Sequence, residues 1–372
     1  MSVRRILTAV SATVALAMAS SCSSSTTSEV SDGSSSPGPT PTAPAPAPTA
    51  PSLAPVPRSG PGATTVPLGQ RLGIAGCPMF PADHPFNASI DALPVAADSQ
   101  RIIESMGPTS ALRPGFGSTV NEGSRRGYPI NVIDPATAVP SDFITAAVYQ
   151  YYSDGAAVPM PPIPRFEGWP GRAWDKHLLL VDPTTCRTRE LINVQPPGEN
   201  ESARSTGKWY ADAVVSYDLR SNERPIASVN AAGTSMLAGL VRFDELAGGI
   251  HHAIGITIPD IRRDEFRWPT HHTDGRSDDP NAPPMGTWLR LRDDVDISTF
   301  PPQARAVAQA LRDHGGIVVD TGPGMTLTGE PDLRWNDSDL AALTTLTAAD
   351  MEVVDPASLM IDPATDRVRT GD

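Results

Sequence analysis

The sequence is poor in cysteine, in aromatic residues and in charge. It has 3 cysteines among 372 residues, with 5% aromatic and 19% charged residues. No Cys-x-x-Cys and no His-Glu-x-x-His motif occurs, which excludes zinc sites with strong local signatures. The Walker phosphate loop and the Gly-x-Ser-x-Gly elbow of serine hydrolases are also absent. The chemistry left to consider is that of carboxylates and histidines.

Positively charged residues are also few relative to negatively charged ones. The chain has 29 Lys and Arg residues against 42 Asp and Glu residues, a formal net charge of −13. Such a balance disfavours binding to nucleic acid or to an anionic membrane surface. The sequence therefore predicts no nucleic-acid partner.

The first 21 residues have the plan of a secretory signal. Arg4 and Arg5 form a basic start, residues 6–18 are an apolar run, and small residues follow. Cys22 comes directly after Ala19-Ser20-Ser21, which resembles the bacterial lipobox, in which the cysteine is lipidated and becomes the new N-terminus. We expect a lipid anchor on Cys22 that holds the protein at the extracytoplasmic face of the cell membrane. Simple secretion after an ordinary cleavage is the alternative.

Residues 22–66 are almost exclusively Ser, Thr, Pro, Ala and Gly. Such a composition buries too little apolar surface to offset the entropy of ordering the chain. We therefore predict a disordered, partly polyproline II tether here, followed by a single β-rich extracytoplasmic domain over residues 67–372.

Two cysteines remain after Cys22. In an oxidising compartment, two leftover thiols are more often a disulfide than a catalytic pair. The sequence thus predicts a bond between Cys77 and Cys186.

The folded part reads mainly as strands. Alternating or short apolar runs predict strands at 176–182, 186–194, 213–217, 252–258, 287–291 and 317–319. Helical spacing predicts helices at 98–106 and 301–314, with Ser298 or Thr299 as the cap of the second, and a shorter one after Asp337. No βαβ alternation is visible, so we predict a β-sandwich or jelly-roll-like fold with two or three peripheral helices.

Histidines provide one candidate constellation. Strand alternation places His177 on a face with Leu179 and Val181, and His252 on a face with Ile254 and Ile256. Each is either a buried histidine bonded to backbone or a functional acid, base or ligand. A metal site stays open as an alternative, because Asp residues follow the doublet His271-His272. No cofactor is predicted.

Carboxylates provide a second constellation. Glu167, Asp175 and Asp244 lie at loop-strand junctions near Trp169, Trp174 and Phe243. A glycosidase needs two carboxyl groups, one of them kept protonated by an apolar surround, and aromatic rings supply both that surround and a platform for sugar. We therefore take Glu167, Asp175, His177, Asp244 and His252 as candidate catalytic residues.

Several spaced motifs resemble a family of exported bacterial proteins that has no established activity. They lie in the ranges 80–87, 177–182, 217–222, 237–245, 252–254, 283–286 and 332–337. The resemblance implies one exported β-rich domain and gives weight to the motifs around His177, Asp244 and His252. It implies no cofactor and no catalytic residue.

Two functions from different classes fit these observations. The first is a cell-surface, carbohydrate-active protein, a hydrolase of extracellular or envelope glycan that uses the five candidate residues. The second is a non-catalytic lipoprotein that binds glycan or an envelope partner, in which the same acids and histidines are paired inside the fold. A third, metal-dependent chemistry at the histidines, requires His and Asp side chains within coordination distance. An open cleft lined by these groups would favour the first function.

Overall fold

The computed structural model describes residues 70–369 apart from 122, 151, 152, 154 and 172–174. The predicted signal, the predicted lipidation site Cys22, the predicted tether and Trp174 lie outside the described residues. Within the described part, short strands dominate and helices are few. The prediction of a mainly β, sandwich-like fold with few peripheral helices is confirmed.

The strands are β1 Arg113–Pro114, β2 Val120–Asn121, β3 Ser124–Arg125, β4 Ile130–Val132, β5 Val139–Ser141, β6 Phe143–Thr145, β7 Val158–Met160, β8 Leu178–Asp182, β9 Arg187–Ile192, β10 Trp209–Ala211, β11 Ala213–Asp218, β12 Ile254–Ile258, β13 Trp288–Leu291, β14 Gly316–Thr321, β15 Thr326–Leu327 and β16 Met351–Val353. The helices are α1 Ser99–Ser105, α2 Pro302–Asp313 and α3 Asp337–Leu340. The 3₁₀ segments are Pro85–Asn87, Leu237–Gly239, Phe243–Ala247, Ala341–Thr345, Ala348–Asp350 and Pro356–Ser358.

Two sheets carry most of the fold. The larger has six strands in the order β1-β15-β12-β14-β13-β16, and the smaller has four in the order β11-β9-β8-β4. The pairs β2-β3, β5-β7 and β6-β10 form two-stranded sheets. The larger sheet is mixed, because β12 and β14 run parallel and are linked through β13 and α2. The sequence does not show this crossover as a strand-helix-strand alternation, because β13 lies between β12 and α2.

The hairpin of β8 and β9 is fixed by its own turn. Strand pairing ends at Asp182 opposite Arg187, so the turn is one residue longer than the predicted Pro183-Thr184-Thr185. The Asp182 carboxylate accepts hydrogen bonds from Thr184 N at 2.8 Å and from Thr185 Oγ1 at 2.8 Å. Such side-chain bonds to nearby groups are the reason that Asp opens many turns.

The predicted disulfide is present and joins this turn to the start of the described chain. Cys186 bonds to Cys77 across a sequence separation of 109. The bond therefore ties a long segment of chain to the four-stranded sheet.

Both faces of the four-stranded sheet are buried. Leu179 and Val181 face the main core, where they meet residues of the larger sheet. Leu178 and Leu180 point the other way, into a second apolar cluster that includes Val158. A strand covered on both sides reads as a continuous apolar run, which explains the sequence Leu-Leu-Leu-Val of β8.

Helix α2 packs its apolar stripe on β13. Ala304, Val307, Ala308 and Leu311 are buried, as their helical spacing predicts. The expected cap is wrong: Pro301 occupies the N-cap position, and no side chain bonds there. The chain leaves the helix through Gly315 at φ +73°, a conformation that favours glycine.

Candidate functional site

Glu167 and His177 form one close pair. The imidazole Nδ1 lies 2.8 Å from Glu167 Oε2, and Nε2 lies 3.0 Å from the carbonyl oxygen of Val229. The backbone repeats the contact, since Glu167 N donates to His177 O at 2.8 Å. Tyr128 stands edge-on to the imidazole, with ring centroids 5.4 Å apart. The loop before β8 therefore brings the Glu167 side chain into contact with His177, the residue that precedes the strand.

The surroundings of His177 favour the protonated form of its ring. Burial lowers its pKa, but the hydrogen bond and charge of Glu167, with the Val229 carbonyl, outweigh burial and raise the pKa above its ordinary value. Because both nitrogens face oxygen acceptors, only the imidazolium donates to both. The hydrogen-bonding capacity of the buried ring is thus used inside the protein.

Two further carboxyl groups surround this pair. Burial raises the pKa of Glu190 to about 7, against hydrogen bonds from Ser235 Oγ and from Met236 N that oppose the shift. Burial and the nearby charge of Asp274 raise the pKa of Asp320 to about 6. In both cases, burial away from water disfavours the charged form.

A narrow cavity adjoins these acids. Asp320, Tyr128 and Ser235 line it together with apolar groups. Its free interior of about 10 Å³ corresponds to a single water molecule. No substrate the size of a sugar fits into that space as it stands.

Asp175 lies in the same neighbourhood but is exposed. Its negative charge helps to raise the pKa of His177. Its backbone carbonyl accepts a hydrogen bond from Asn193 N at 2.5 Å, which fixes the entry into β8. The structure thus groups three of the five candidates, Glu167, Asp175 and His177.

Asp244 takes part in a surface ion pair. Its carboxylate accepts a hydrogen bond from Arg334 Nη1 at 2.6 Å, and about half of both side chains is exposed. The Arg334 guanidinium lies over the Phe243 ring, 4.4 Å from its centroid. This carboxyl group thus lies on the surface and outside the apolar surround that a glycosidase acid requires.

His252 belongs to a different buried network, centred on Glu245. His252 Nε2 lies 3.2 Å from Glu245 Oε2, and Arg242 Nη2 donates to Glu245 Oε1 at 2.6 Å. Arg71 Nε approaches the same carboxylate at 3.8 Å. Burial, with the positive charge of Arg71, lowers the pKa of His252 to about 4. The charges of Arg242 and His252 outweigh burial and lower the pKa of Glu245.

This second network fastens the early chain to the core. Arg242 Nη1 donates to Gly73 O at 3.1 Å, and Arg71 Nη1 donates to Asn87 Oδ1 at 3.2 Å. Its carboxylate and guanidinium groups are almost fully buried. A buried charge network with matched partners holds chain segments in register.

The five sequence candidates therefore do not meet at one place. Three lie around His177, whereas His252 and Asp244 take part in separate contacts. Sequence reasoning missed the acids that are buried, Glu190 and Glu245. The signal that could have identified them is their position in the chain. Glu190 alternates with Leu191 in a predicted strand, and Glu245 is adjacent to Asp244.

Among the residues that the structure describes, no three or more His, Cys, Asp and Glu side chains are placed to hold a metal ion together. No helix of that part of the chain is long and apolar enough to cross a membrane. Comparisons with protein-family models, with curated proteins and with solved structures found no match.

Proposed function

We propose that this protein is a lipid-anchored, extracytoplasmic protein that binds an envelope or extracellular glycan without cleaving it. One observation carries the choice of binder over hydrolase: both candidate histidines are paired with carboxyl groups inside the fold, and the five candidate residues do not meet at one place. His177 bonds to Glu167 and Val229, and His252 bonds to Glu245. Groups satisfied in this way stabilise a fold, whereas a hydrolase presents its acids to a substrate cleft.

The surface recesses support the same choice. One recess, with a volume of about 610 Å³, is formed by residues of the 217–222 motif and by the chain near its C-terminus. None of the five candidate residues lines it. A glycan that occupied this recess would therefore lie away from the candidate acids.

The anchor can be tested by detergent partitioning. The full chain, expressed in a bacterium that processes lipoproteins, is expected to enter the detergent phase of Triton X-114. Cys22→Ala is expected to move it to the aqueous phase, since the acyl chains supply the membrane affinity. Unchanged partitioning of the variant would refute lipidation at this residue.

Binding and cleavage are separated by one experiment on the full chain. Immobilised polysaccharides and peptidoglycan sacculi are tested for retention of the protein, and the supernatant is assayed for reducing ends. Retention without release supports the binder. Release of sugar that is lost in Glu167→Gln would refute the proposal and establish the hydrolase.

Hydrolysis is the second candidate, and a specific observation favours it. Asp320, whose pKa is raised to about 6, interacts electrostatically with His177, the partner of Glu167. A buried carboxyl group with a raised pKa is a common general acid in hydrolases. If the assay shows released sugar, Asp320→Asn is the variant that tests Asp320 as the acid, with a loss of about 100-fold or more in rate expected.

A further inference from the structure

Two sequence motifs that the candidate acids do not explain meet at one surface recess. The motif at 80–87 and the motif at 217–222 come together where Asn222 Nδ2 donates to Asp83 Oδ1 at 2.8 Å. The recess of about 610 Å³ lies on one side of this contact. A narrow chamber lined by His84, Phe86 and Tyr217 adjoins it, and Ser221 to Glu223 form part of both walls.

The chamber contains polar groups without partners. Within the described residues, Tyr217 Oη and Asn222 Oδ1 are buried and make no hydrogen bond. Tyr217 is only 5% exposed. Unsatisfied oxygens at such depth reduce stability, so a ligand or water that bonds to them contributes favourably.

His84 adds a donor to the same chamber. Burial lowers the pKa of His84 to about 4, so its ring is neutral. Nδ1 accepts a hydrogen bond from Phe86 N at 3.3 Å, which leaves the ring proton on Nε2. The Phe80 ring stacks on His84 with centroids 4.5 Å apart and supplies an apolar wall.

The charges around the recess favour a neutral ligand. Arg220 is bonded to Asp218, and Arg367 is bonded to Asp83. Arg224 is bonded to a histidine ring and to a backbone carbonyl. Each of these guanidinium groups thus has an acceptor beside it, and the carboxyl groups of Glu223 and Asp366 also line the walls. A ligand carboxylate or phosphate would meet these like charges, which disfavours an anionic ligand.

We propose that the recess and the chamber form a subsite for one neutral sugar residue of the bound glycan. The recess has the volume of a small-ligand site. The chamber has a free interior of about 10 Å³, room for one hydroxyl group in place of a water molecule. That hydroxyl donates to Asn222 Oδ1 and accepts from His84 Nε2 or Tyr217 Oη. This inference rests on the proposed function and adds its site and its sugar class.

The test compares neutral and acidic oligosaccharides on the full chain purified in detergent. Maltohexaose, cellohexaose, mannohexaose and chitohexaose are titrated by calorimetry beside trigalacturonic acid. We expect at least one neutral hexasaccharide to bind, with trigalacturonic acid at least tenfold weaker. Tyr217→Phe should weaken the neutral ligand by about fivefold to tenfold, the effect of one hydrogen bond.

Tyr210→Phe is the matched control, because Tyr210 Oη donates to Asp212 Oδ1 at 2.8 Å and does not line either wall. Tyr217→Phe should keep or raise the wild-type melting temperature, since its buried hydroxyl has no hydrogen-bond partner to lose. In the wild type, the ring proton signals of His84 should shift when the hexasaccharide is added.

The outcomes separate the two proposals. Equal affinity in Tyr217→Phe with unmoved His84 signals would overturn the subsite and leave glycan binding in place. Preference for trigalacturonic acid would overturn the neutral sugar class. Absence of binding by every oligosaccharide, together with no retention on polysaccharides or sacculi, would overturn the proposed function as well.

Discussion

Replacement of Glu245 by glutamine is expected to destabilise the fold strongly. The Glu245 carboxylate is 1% exposed, bonds to Arg242 at 2.6 Å and approaches Arg71 at 3.8 Å. Glutamine leaves both guanidinium groups buried without their counter-charge. Removal of one partner from a buried ion pair costs about 3 to 5 kcal/mol.

The expected shift in melting temperature follows from the size of the fold. An unfolding entropy of about 2.1 cal/mol/K per residue over roughly 300 residues gives about 0.6 kcal/mol/K. A loss of about 3 to 5 kcal/mol thus lowers the melting temperature by about 5 to 8 °C. Thermal unfolding followed by circular dichroism measures this shift directly.

The neighbouring residue supplies the control. Asp244 is about half exposed and pairs with Arg334 on the surface, so Asp244→Asn should cost at most about 1 kcal/mol. A drop of less than about 1 °C in Glu245→Gln, or an equal drop in both variants, would refute the assignment of Glu245 as the centre of a buried network.

Three further predictions concern the disulfide and the acids near His177. Replacement of both Cys77 and Cys186 by alanine should cost about 4 to 5 kcal/mol in urea unfolding, since the bond closes a separation of 109 residues; a loss below about 1 kcal/mol would contradict this. Glu190 has a pKa raised from 4.5 to about 7, so its stabilising contribution is present below pH 4.5 and is lost as the pH rises to about 7. The loss is about 3 kcal/mol, and Glu190→Gln should remove that part of the pH dependence; an unchanged profile would count against it. Glu167→Gln should lower the pKa of His177, because burial then acts without the carboxylate; an unmoved proton NMR titration of the ring would disprove their coupling.

Local patterns were sufficient for the hairpin and for helix α2. Alternation, turn residues and helical spacing are properties of neighbouring residues, and they placed β8, β9 and α2 within a few positions. The order of strands in the larger sheet depends on contacts between distant segments, such as β1 with β15. No local pattern encodes such a pairing, so the mixed sheet emerged only from the structure.

The candidate site was likewise predictable where neighbouring residues determine it and not where distant contacts do. His177 was identified because it begins an apolar strand, and its partner Glu167 is separated from it only by a short loop. The adjacent acids Asp244 and Glu245 could not be told apart by sequence. The 3₁₀ turn Phe243–Ala247 directs Glu245 into the core and leaves Asp244 in solvent. Which of two neighbouring acids is buried depends on this turn and on the arginines that it meets.

The Cys77–Cys186 bond also determines what a protease can release. Exposed residues such as Val139 and Ile163 lie between the two cysteines. A cut there divides the polypeptide into two pieces, but the sulfur bridge keeps them covalently joined. At the cell surface that we propose as its location, a nicked molecule of this kind would stay in one piece until a reductant separates its halves.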